Sequence, residues 1–573
     1  MIPTRRLRID LLLILGTTGL VALVLYARTL TTHEWREWLI RWSGDFLGVN
    51  ATLILLTGIL ESETIRGQLH HLLPSRRLWI LPALLIGGTL YTALIAPQTH
   101  RIFYDETIYL SIGQNLAHLN RAQTCHSGGE SHGRMVCEQG EYNKQPNGYP
   151  FLTSLVFRLF GTSERAAFHL NNLLLGCAAV VVLLLVFPLG GGWQAGVFAA
   201  WMVILNPQNL HWFNTTAAEP ASALTVALAM LAAFHFRRTD STPALTLLTA
   251  LTAFALHFRP ESLLLLPLVA LVALPTALTR PRRLLAHLLF FVCLTLPLWL
   301  HMALFHNHPW GSSGQPFSLS YFFDNLAVNG WHYLDNQAFP PLFTGLAILG
   351  LFRPGDRLRE RGVIGLWFLL FWGVFLFFYA GSYHYGADIR YALLSALPLA
   401  ILAGLGAETL WKEILRHATP NPAIATALVT ALLWCAHWPF LPLVRATTDE
   451  AWAARADLHY ARLLADRLPP DSLVLTHNPN LFQLWGHHAA QLSLAQSNPD
   501  HVNRVLFPRY RGGIFLHHNF WCNVPDTLQN SFCDQAYQKF QTEWIAEYPE
   551  KNYRFALYRL RLKTAPPAPS KPD

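Results

Sequence analysis

The sequence predicts an all-α membrane protein with roughly thirteen transmembrane helices and a small α/β domain outside the membrane. The 573 residues are 52% hydrophobic and only 13% charged, about half the charged share of a soluble domain, and the mean hydropathy is +0.27. Basic residues cluster in short loops between apolar runs, which is the positive-inside pattern of a multispanning protein. The net charge of +8 therefore reflects membrane topology, and no nucleic-acid partner is expected.

The apolar runs come close to the roughly 20 residues that a membrane span requires. In chain order they are 9–30, 46–60, 78–96, 166–188, 193–210, 218–236, 244–257, 262–278, 284–305, 341–352, 363–380, 391–411 and 423–441. A cytoplasmic, basic N-terminus and strict alternation place every basic loop in the cytoplasm. The same alternation places most of the unusual polar residues, and the chain after Pro442, on the outer face of the plasma (inner) membrane.

The chain divides into three parts. Residues 1–77 form an extension with two spans, in which four residues at helical spacing predict a helix lying in the membrane interface: Trp35, Trp38, Leu39 and Trp42. Residues 78–441 form the main transmembrane domain. Its first outer loop, 97–165, holds predicted helices at 106–119 and 149–160, the second on the membrane surface. Residues 442–573 form the extracytoplasmic α/β domain, which ends in a disordered Pro-rich tail.

Two pairs of cysteines lie close together in the sequence. Cys125 and Cys137 share the first outer loop, and Cys522 and Cys533 share the C-terminal domain. Both regions face the oxidising side in the predicted topology, where two local disulfides are expected. No Cys/His set in the sequence has convincing metal-ligand spacing, so a metal is left unassigned.

Two adjacent carboxylates, Asp105 and Glu106, closely follow the third predicted span. One interpretation is that Asp105 caps helix 106–119, because carboxylates are favoured at the positive end of a helix. The other is that Asp105 is a general base, since a rigidly held anion can take a proton from an acceptor hydroxyl or amine. Both can hold together, because a capping carboxylate is fixed and ionised.

Three basic residues are candidates for binding a phosphate. Lys144 lies in the same outer loop, where it either binds phosphate as a point charge or is a solvated residue of a Pro/Gly turn. Arg259 lies between two spans and either belongs to a site or is neutralised locally by Glu261. Arg390 begins a late span, and either clamps a phosphate or snorkels to the interface.

Other polar residues on the predicted outer face complete the candidate site. Glu219, which precedes a proline at the outer end of a span, is either a third catalytic residue or a helix cap. The neighbours of these positions are candidates for the wall of a substrate pocket: Tyr104, Tyr149, Glu261, His384 and Tyr391.

Taken in order, these motifs resemble those of the GT-C membrane glycosyltransferases. Tyr-Asp-Glu-x-x-Tyr follows an early span, and Lys-x-Pro-x-Gly-Tyr-Pro-Phe-Leu lies later in the same loop; Asn-Pro, Glu-Pro, Arg-Pro-Glu and a late Arg-Tyr come after them. The nearest similarity is to the branch that holds the protein O-mannosyltransferases and the lipid A aminoarabinose transferase. It covers roughly residues 78–441.

The resemblance implies a GT-C-like catalytic domain in which Asp105 and Glu106 form the catalytic pair, with Asp105 as the base. It implies that Lys144 contacts the lipid phosphate and that a polyprenyl-phosphate sugar is the donor. Two departures leave the sugar and the acceptor open: the Asp-Glu pair follows the third span instead of the first, and Gln145 stands where the aminoarabinose enzymes begin a double proline. The sequence has no GxGxxG or P-loop motif, so no nucleotide site or tightly bound cofactor is expected.

The predicted function is inverting transfer of a hexosyl or pentosyl group from this membrane lipid to a protein, lipid or glycan acceptor outside the cell membrane. The alternative is a transporter or flippase of lipid-linked sugars, which should show pseudo-repeated halves and ionisable residues at mid-bilayer. The sequence shows no repeat and places its polar residues at one face, which favours the transferase. A third alternative is an inactive relative that serves as an assembly scaffold.

Overall fold

The computed structural model describes residues 29–563, apart from 74, 103, 132–133, 306–314, 335–338, 384–385, 419 and 446–451, together with a few residues between 17 and 26. Of residues 386–388 it describes the backbone alone. The first predicted span, 9–30, lies almost entirely outside the described residues, as does the Pro-rich tail.

Helices make up most of the chain before the C-terminal domain. In order they are α1 Thr32–Leu60, α2 Ser62–Leu72, α3 Ile80–Ile95, α4 Asp105–Leu119, α5 Gly148–Phe160, α6 Glu164–Val186, α7 Trp193–Leu205, α8 Pro207–Trp212, α9 Glu219–Thr239, α10 Thr242–Leu256, α11 Leu265–Ala277, α12 Pro281–Leu294, α13 Leu296–Phe305, α14 Phe322–His332, α15 Pro341–Leu351, α16 Leu358–Gly373, α17 Leu393–His417, α18 Pro422–His437 and α19 Leu441–Arg445.

Seven strands belong to one sheet: β1 Thr124–Ser131, β2 Arg134–Glu141, β3 Ser472–Thr476, β4 His488–Gln491, β5 Gly513–His518, β6 Phe540–Glu550 and β7 Tyr553–Leu562. The helices of the C-terminal domain are α20 Trp452–Ala465, α21 Pro479–Leu484, α22 Leu494–Ser497, α23 Pro499–His501, α24 Phe507–Arg509 and α25 Leu528–Lys539.

The chain is a multi-pass membrane protein. Among the described residues, seven helical segments are long and apolar enough to cross a membrane: Thr32–Leu60, Ser75–Ile95, Glu164–Leu189, Glu219–Thr239, Pro260–Ala277, Ile389–His417 and Pro422–Arg445. An eighth span results if α12 and α13, which meet at an angle of 51°, are counted as one. Helices α7, α10 and α15 are apolar but shorter, so the count of thirteen stays a prediction.

Helix α1 corrects the prediction of a separate helix in the membrane interface. Its 29 residues join the Trp-rich segment and the second predicted span into one continuous helix. Thr31 and Glu34 form a capping box at its start, and Leu39 is fully buried against the bundle and the first outer loop. The periodic tryptophan pattern therefore reflects a face of a long helix that is partly covered by protein.

Helix α5 matches the second helix predicted in the first outer loop, and its place on the membrane surface stays a prediction. About half of its residues are buried, because it packs on α4: a Cβ at Gly113 of α4 would lie 3.1 Å from Thr153 of α5. The glycine lets the two helices approach closely, and α5 holds the loop before it against the start of α4.

Helix α17 is the centre of the bundle. Helices α7, α15 and α16 pack around it. In the most apolar 18-residue stretch of the segment Ile389–His417, 89% of the residues are buried. At Gly350 of α15 an added Cβ would lie 1.8 Å from the carbonyl oxygen of Leu402, and at Gly406 of α17 it would lie 2.0 Å from that of Leu346. Small residues at such a crossing allow the backbones to touch, which is how helices associate tightly in lipid.

The sheet has the strand order β2-β1-β4-β3-β5-β7-β6. Strand β3 is parallel to β4 and β5, and the other pairs are antiparallel. The sequence pattern predicts strands at 472–476, 514–517 and 555–561, and these residues lie in β3, β5 and β7. In contrast, the hairpin β1–β2 comes from the first outer loop and adds two strands to the sheet of a domain formed much later in the chain. Disulfides join Cys125 to Cys137 and Cys522 to Cys533, as predicted.

Candidate active site

Asp105 is the first residue of α4 and projects from a sharp turn. Tyr104 before it has a φ of 71°, an unusual conformation for a residue with a Cβ. The side chain of Asp105 makes no capping hydrogen bond; the Nε2 amide of Gln145 donates to its Oδ1 at 3.1 Å. Its side chain is 29% exposed. The helix-cap interpretation of Asp105 is therefore wrong, and its carboxylate is positioned from the side and open to a ligand.

A chain of alternating charges extends from Asp105. Its Oδ2 lies 3.8 Å from Nη2 of Arg390, and Nε of Arg390 lies 3.0 Å from Oε1 of Glu219. The same Glu219 oxygen accepts a 2.7 Å hydrogen bond from Nη1 of Arg259. Nη2 of Arg259 donates to Oε1 of Glu261 at 2.7 Å. Two guanidinium groups and three carboxylates thus meet at one place.

The elements that supply this network start or end there. Glu219 is the first residue of α9, Arg259 precedes the turn Pro260–Leu264 between α10 and α11, and Arg390 lies in the turn Gly386–Ala392 that enters α17. Glu219 and Arg390 are buried. The Glu219 side chain points to the arginines instead of capping α9, and Arg390 points into the protein instead of snorkelling. Local pairing of Arg259 with Glu261 is present, but as one part of a larger network.

The electrostatic surroundings make Asp105 more basic than an ordinary aspartate. Removal from water raises the pKa of Asp105, and the negative charge of Glu219 raises it further. The positive charges of Arg390, Arg259 and Lys144 oppose this effect but do not cancel it, so the net direction of the pKa is upward. A carboxylate of this kind is a stronger proton acceptor.

Glu106 is fully buried and has a different environment. Its Oε1 accepts hydrogen bonds from the backbone N–H groups of Arg101 at 2.7 Å and Ile102 at 3.0 Å. Its Oε2 accepts from the backbone N–H of Thr216 at 2.7 Å and lies 2.9 Å from Nδ1 of His100. Burial opposes ionisation, but His100 and these N–H groups outweigh it and lower the pKa of Glu106. Both oxygens are thus occupied in fastening the turn before α4.

Aromatic rings form one wall of the site. The ring of Tyr391 stacks on Phe375, with centroids 4.2 Å apart, and the guanidinium groups of Arg259 and Arg390 lie 5.5 and 5.1 Å from the centre of the Tyr391 ring. On the side of α4, the hydroxyl of Tyr109 donates to Oε1 of Gln145 at 3.2 Å. The rings and the amide hold the charged groups in place.

The C-terminal domain contacts α4 directly at its start. The ring of Tyr104 stacks on Trp521, with centroids 6.2 Å apart, and the hydroxyl of Thr107 donates to Asn478 at 3.2 Å. Behind Trp521, the buried carboxylate of Asp457 accepts a 2.9 Å hydrogen bond from the backbone N–H of Phe520. Burial raises the pKa of Asp457 to about 7.

The structure brings together most of the residues singled out in the sequence. Asp105, Glu219, Arg259, Glu261, Arg390 and Tyr391 lie in the network described above. Lys144 is exposed and close enough to influence Asp105 electrostatically, and Tyr149 packs edge-on against Tyr109 with centroids 5.8 Å apart. His384 lies outside the described residues.

Sequence reasoning missed the contacts that position this site. In the sequence, Gln145 is a departure from the lysine motif and Tyr109 is the last residue of the Tyr-Asp-Glu-x-x-Tyr motif. In the structure their side chains meet beside Asp105. His100 and Thr216 carried no signal, because their meeting with Glu106 depends on how distant segments pack. Among the described residues, His477 lies near Cys522 and Cys533 in a metal-like group, but these cysteines form a disulfide.

Comparisons with known proteins identify the fold. No family model matches the sequence, and no curated protein matches it. The structure is similar to that of ArnT from Cupriavidus metallidurans bound to undecaprenyl phosphate, with a TM-score of 0.55, 13% identity, and coverage of 84% of this chain and 97% of that chain. The apo state of the same ArnT gives a TM-score of 0.52, 14% identity, and coverage of 84% and 97%. The chain therefore has the fold of these ArnT structures, which agrees with the resemblance of its motifs to the GT-C membrane glycosyltransferases.

Proposed function

We propose that this chain is an integral membrane glycosyltransferase that transfers a sugar, with inversion, from a polyprenyl-phosphate donor to an acceptor on the outer face of the membrane. One observation carries the proposal: a partly exposed carboxylate, Asp105, stands 3.8 Å from the buried cation of Arg390. A base beside a cation is what the displacement of a phosphate from a sugar requires. The likeness to an ArnT structure that holds undecaprenyl phosphate supports a lipid-phosphate donor.

In this proposal the donor phosphate lies between Arg390 and Lys144. Both terminal nitrogens of Arg259 already bind carboxylates, so Arg259 reaches the phosphate only if it releases one of them. Its main contribution is to fix Glu219, which in turn orients Arg390. Lys144 lies at the exposed edge of the site, where an ammonium group can follow a lipid phosphate as a mobile point charge.

The reaction is a single displacement. Oδ2 or Oδ1 of Asp105 takes the proton of the acceptor hydroxyl or amine, and the acceptor atom attacks the anomeric carbon from the face opposite the phosphate. The bond between the anomeric carbon and the phosphate oxygen breaks, and the electron pair leaves with the polyprenyl phosphate. Arg390 and Lys144 stabilise the growing negative charge on that oxygen. Phosphate is a good leaving group, so no strong general acid is required.

The remaining residues of the site have supporting roles. Glu106 positions Asp105 through the turn 100–104, and Glu219 and Glu261 hold the two arginines. Tyr104, Tyr149, Tyr391 and the carboxylate of Glu261 are proposed for the wall of the sugar pocket, and the same role for His384, which lies outside the described residues, stays a sequence prediction.

The topology completes the proposal. The N-terminus is cytoplasmic, about thirteen helices cross the plasma membrane, and the site and residues 442–573 face outward. Residues 1–77 are an added two-span extension to the catalytic domain, 78–441. The donor supplies a hexosyl or a pentosyl group, and the acceptor is a protein, a lipid or a glycan.

The test compares cell-envelope glycans, by mass spectrometry, from cells that have or lack the chain. A sugar that disappears with the chain should return with the parent protein and with the control Asp534→Asn, whose carboxyl is exposed on α25 of the C-terminal domain. It should not return with Asp105→Asn. Full restoration by Asp105→Asn would remove the base assignment. A flippase would relocate the lipid-linked sugar without breaking the bond to phosphate, so release of free polyprenyl phosphate distinguishes the two functions.

A further inference from the structure

A large cavity lies at the end of the bundle opposite Asp105. It has a volume of about 780 Å³ and is enclosed by α1, α2, α6, α9 and α10, with α16 at its edge. Helix α9 links the two regions, because it starts at Glu219 in the candidate active site and carries Arg237 and Arg238 of the cavity in its last turn. At about 1.5 Å per residue the two ends of α9 are roughly 27 Å apart, nearly the thickness of the hydrocarbon layer. The cavity is therefore not part of the site described above.

The charged groups of the cavity form an unbalanced positive rim. Arg237, Arg238 and Arg357 face one carboxylate, Glu360. Glu360 pairs with Arg237 at 3.1 Å and with Arg357 at 3.6 Å. Arg238 is exposed and makes no hydrogen bond or ion pair in the part of the chain that the structure describes. The rim thus has a free guanidinium group available for an anion.

Away from these arginines the cavity wall is apolar. Ile54, Leu228, Leu231 and Leu247 line it from α1, α9 and α10. The short helix α2 contributes apolar side chains as well, although none of its residues is buried by protein. A short amphipathic helix with an uncovered apolar side is typical of a membrane interface, so α2 closes the cavity toward the lipid phase.

We propose that this cavity is a binding site for an anionic phospholipid. The lipid phosphate contacts Arg238 and the neighbouring Arg237 and Arg357. An acyl chain fills the space between α2 and the half of α9 that ends at Arg238. Charge complementarity selects this occupant, since basic pockets between membrane helices bind anionic head groups. A zwitterionic lipid also has a phosphate, but its head group adds a cation to a rim that already has more arginines than carboxylates. The site would tie the lipid composition of one leaflet to the stability of the bundle.

The first experiment measures lipid binding to the complete purified chain by native mass spectrometry. Phosphatidylglycerol and phosphatidylcholine with the same acyl chains are the probes. Arg238→Gln should weaken phosphatidylglycerol binding about fivefold, the effect of one basic residue near a lipid head group, and weaken phosphatidylcholine binding less, because the choline cation already offsets the phosphate charge. Arg66→Gln is the matched control, because Arg66 is exposed on α2 but does not line the cavity.

A second pair of variants tests the cavity without changing charge. Gly58 of α1 lines the cavity and has no atom within 4 Å of an added Cβ; Gly58→Phe should therefore fill space and reduce phosphatidylglycerol binding. Gly48, on the same helix, is equally unobstructed but lies outside the cavity, so Gly48→Phe should bind like the parent. Equal affinity for both lipids, or phosphatidylglycerol binding that Arg238→Gln leaves unchanged, would overturn the proposal and indicate another occupant such as the first predicted span.

Discussion

The carboxylate of Asp105 and the guanidinium group of Arg390 lie 3.8 Å apart, and Arg390 also pairs with the buried Glu219 at 3.0 Å. The cation proposed to hold the donor phosphate is therefore the one that most strongly opposes protonation of the proposed base. When a phosphate takes up part of the charge of Arg390, the proton affinity of Asp105 must increase. Donor binding would thus strengthen the base at the moment when the acceptor has to lose its proton.

This relationship predicts the pH dependence of transfer. Activity should rise with pH as Asp105 loses its proton, with a midpoint above the usual aspartate value of about 3.9, because burial raises the pKa of Asp105. Arg390→Gln removes an opposing positive charge, so the midpoint should move upward by about one pH unit. The measurement is a pH–rate profile of kcat/KM. Arg416→Gln, which alters an exposed ion pair with Glu413, should leave the midpoint in place; a downward shift with Arg390→Gln would contradict the assignment.

Lys144 should govern the use of the lipid donor. Lys144→Gln removes a charge-assisted contact to phosphate, so kcat/KM for the polyprenyl-phosphate sugar should fall about tenfold or more, while Lys144→Arg retains most of the activity. Lys412→Gln, which changes a half-exposed lysine paired with Glu408, is the control and should have no effect. Equal kcat/KM in Lys144→Gln and the parent would place the phosphate elsewhere.

Glu106 should matter for stability more than Asp105 does. In Glu106→Gln an amide N–H₂ faces the buried N–H groups that donate to the carboxylate in the parent protein. We therefore expect the free energy of unfolding to fall by about 3 kcal/mol or more. Thermal unfolding of the purified protein should show a lower melting temperature for Glu106→Gln and little change for Asp105→Asn. If the two variants melted alike while both lost activity, Glu106 would have a chemical role instead of a positioning one.

Asp457 should make the C-terminal domain less stable as the pH rises. Its pKa of about 7 in the folded protein lies about 3 units above that of an unfolded chain, so the folded state keeps a proton that the unfolded state has lost. The free energy of unfolding should therefore decrease by up to about 4 kcal/mol between pH 4 and 7. Melting temperatures measured across this range should decline less in Asp457→Asn than in the parent. Asp534→Asn should follow the parent; parallel curves for all three would contradict the prediction.

The sequence predicted the composition of the site because membrane physics limits where charge can lie. Alternating spans put Asp105, Glu219, Arg259 and Arg390 on one predicted face, and ionisable residues within a membrane bundle usually pair with one another. The order of pairing did not follow from this argument. That Glu219 joins both arginines depends on the angles at which α9 and α17 approach each other.

The fold was predictable where a local pattern existed. Apolar runs predicted the helices, and the spacing of Cys125 and Cys137 predicted a closed loop. The joining of that loop to the later sheet was not predictable, since the pairing of Ser127 with Ala490 involves long-range contacts without a local signature. The prediction divided the continuous helix α1 into an interfacial helix and a span. Its tryptophan face is partly covered by protein, and composition alone cannot distinguish a face that contacts protein from one that contacts lipid.

The hairpin β1–β2 has a consequence for biogenesis. The pairing with strand β4 and the contact of Thr107 with Asn478, residues 371 positions apart, form only after nearly the whole chain has been synthesised. Until then the hairpin has an open edge and the start of α4 lacks its cover, which are conditions that slow folding and favour misassembly. The proposed transferase would therefore become competent late, when translation has ended, and loss of the C-terminal strands would leave an inserted but inactive bundle.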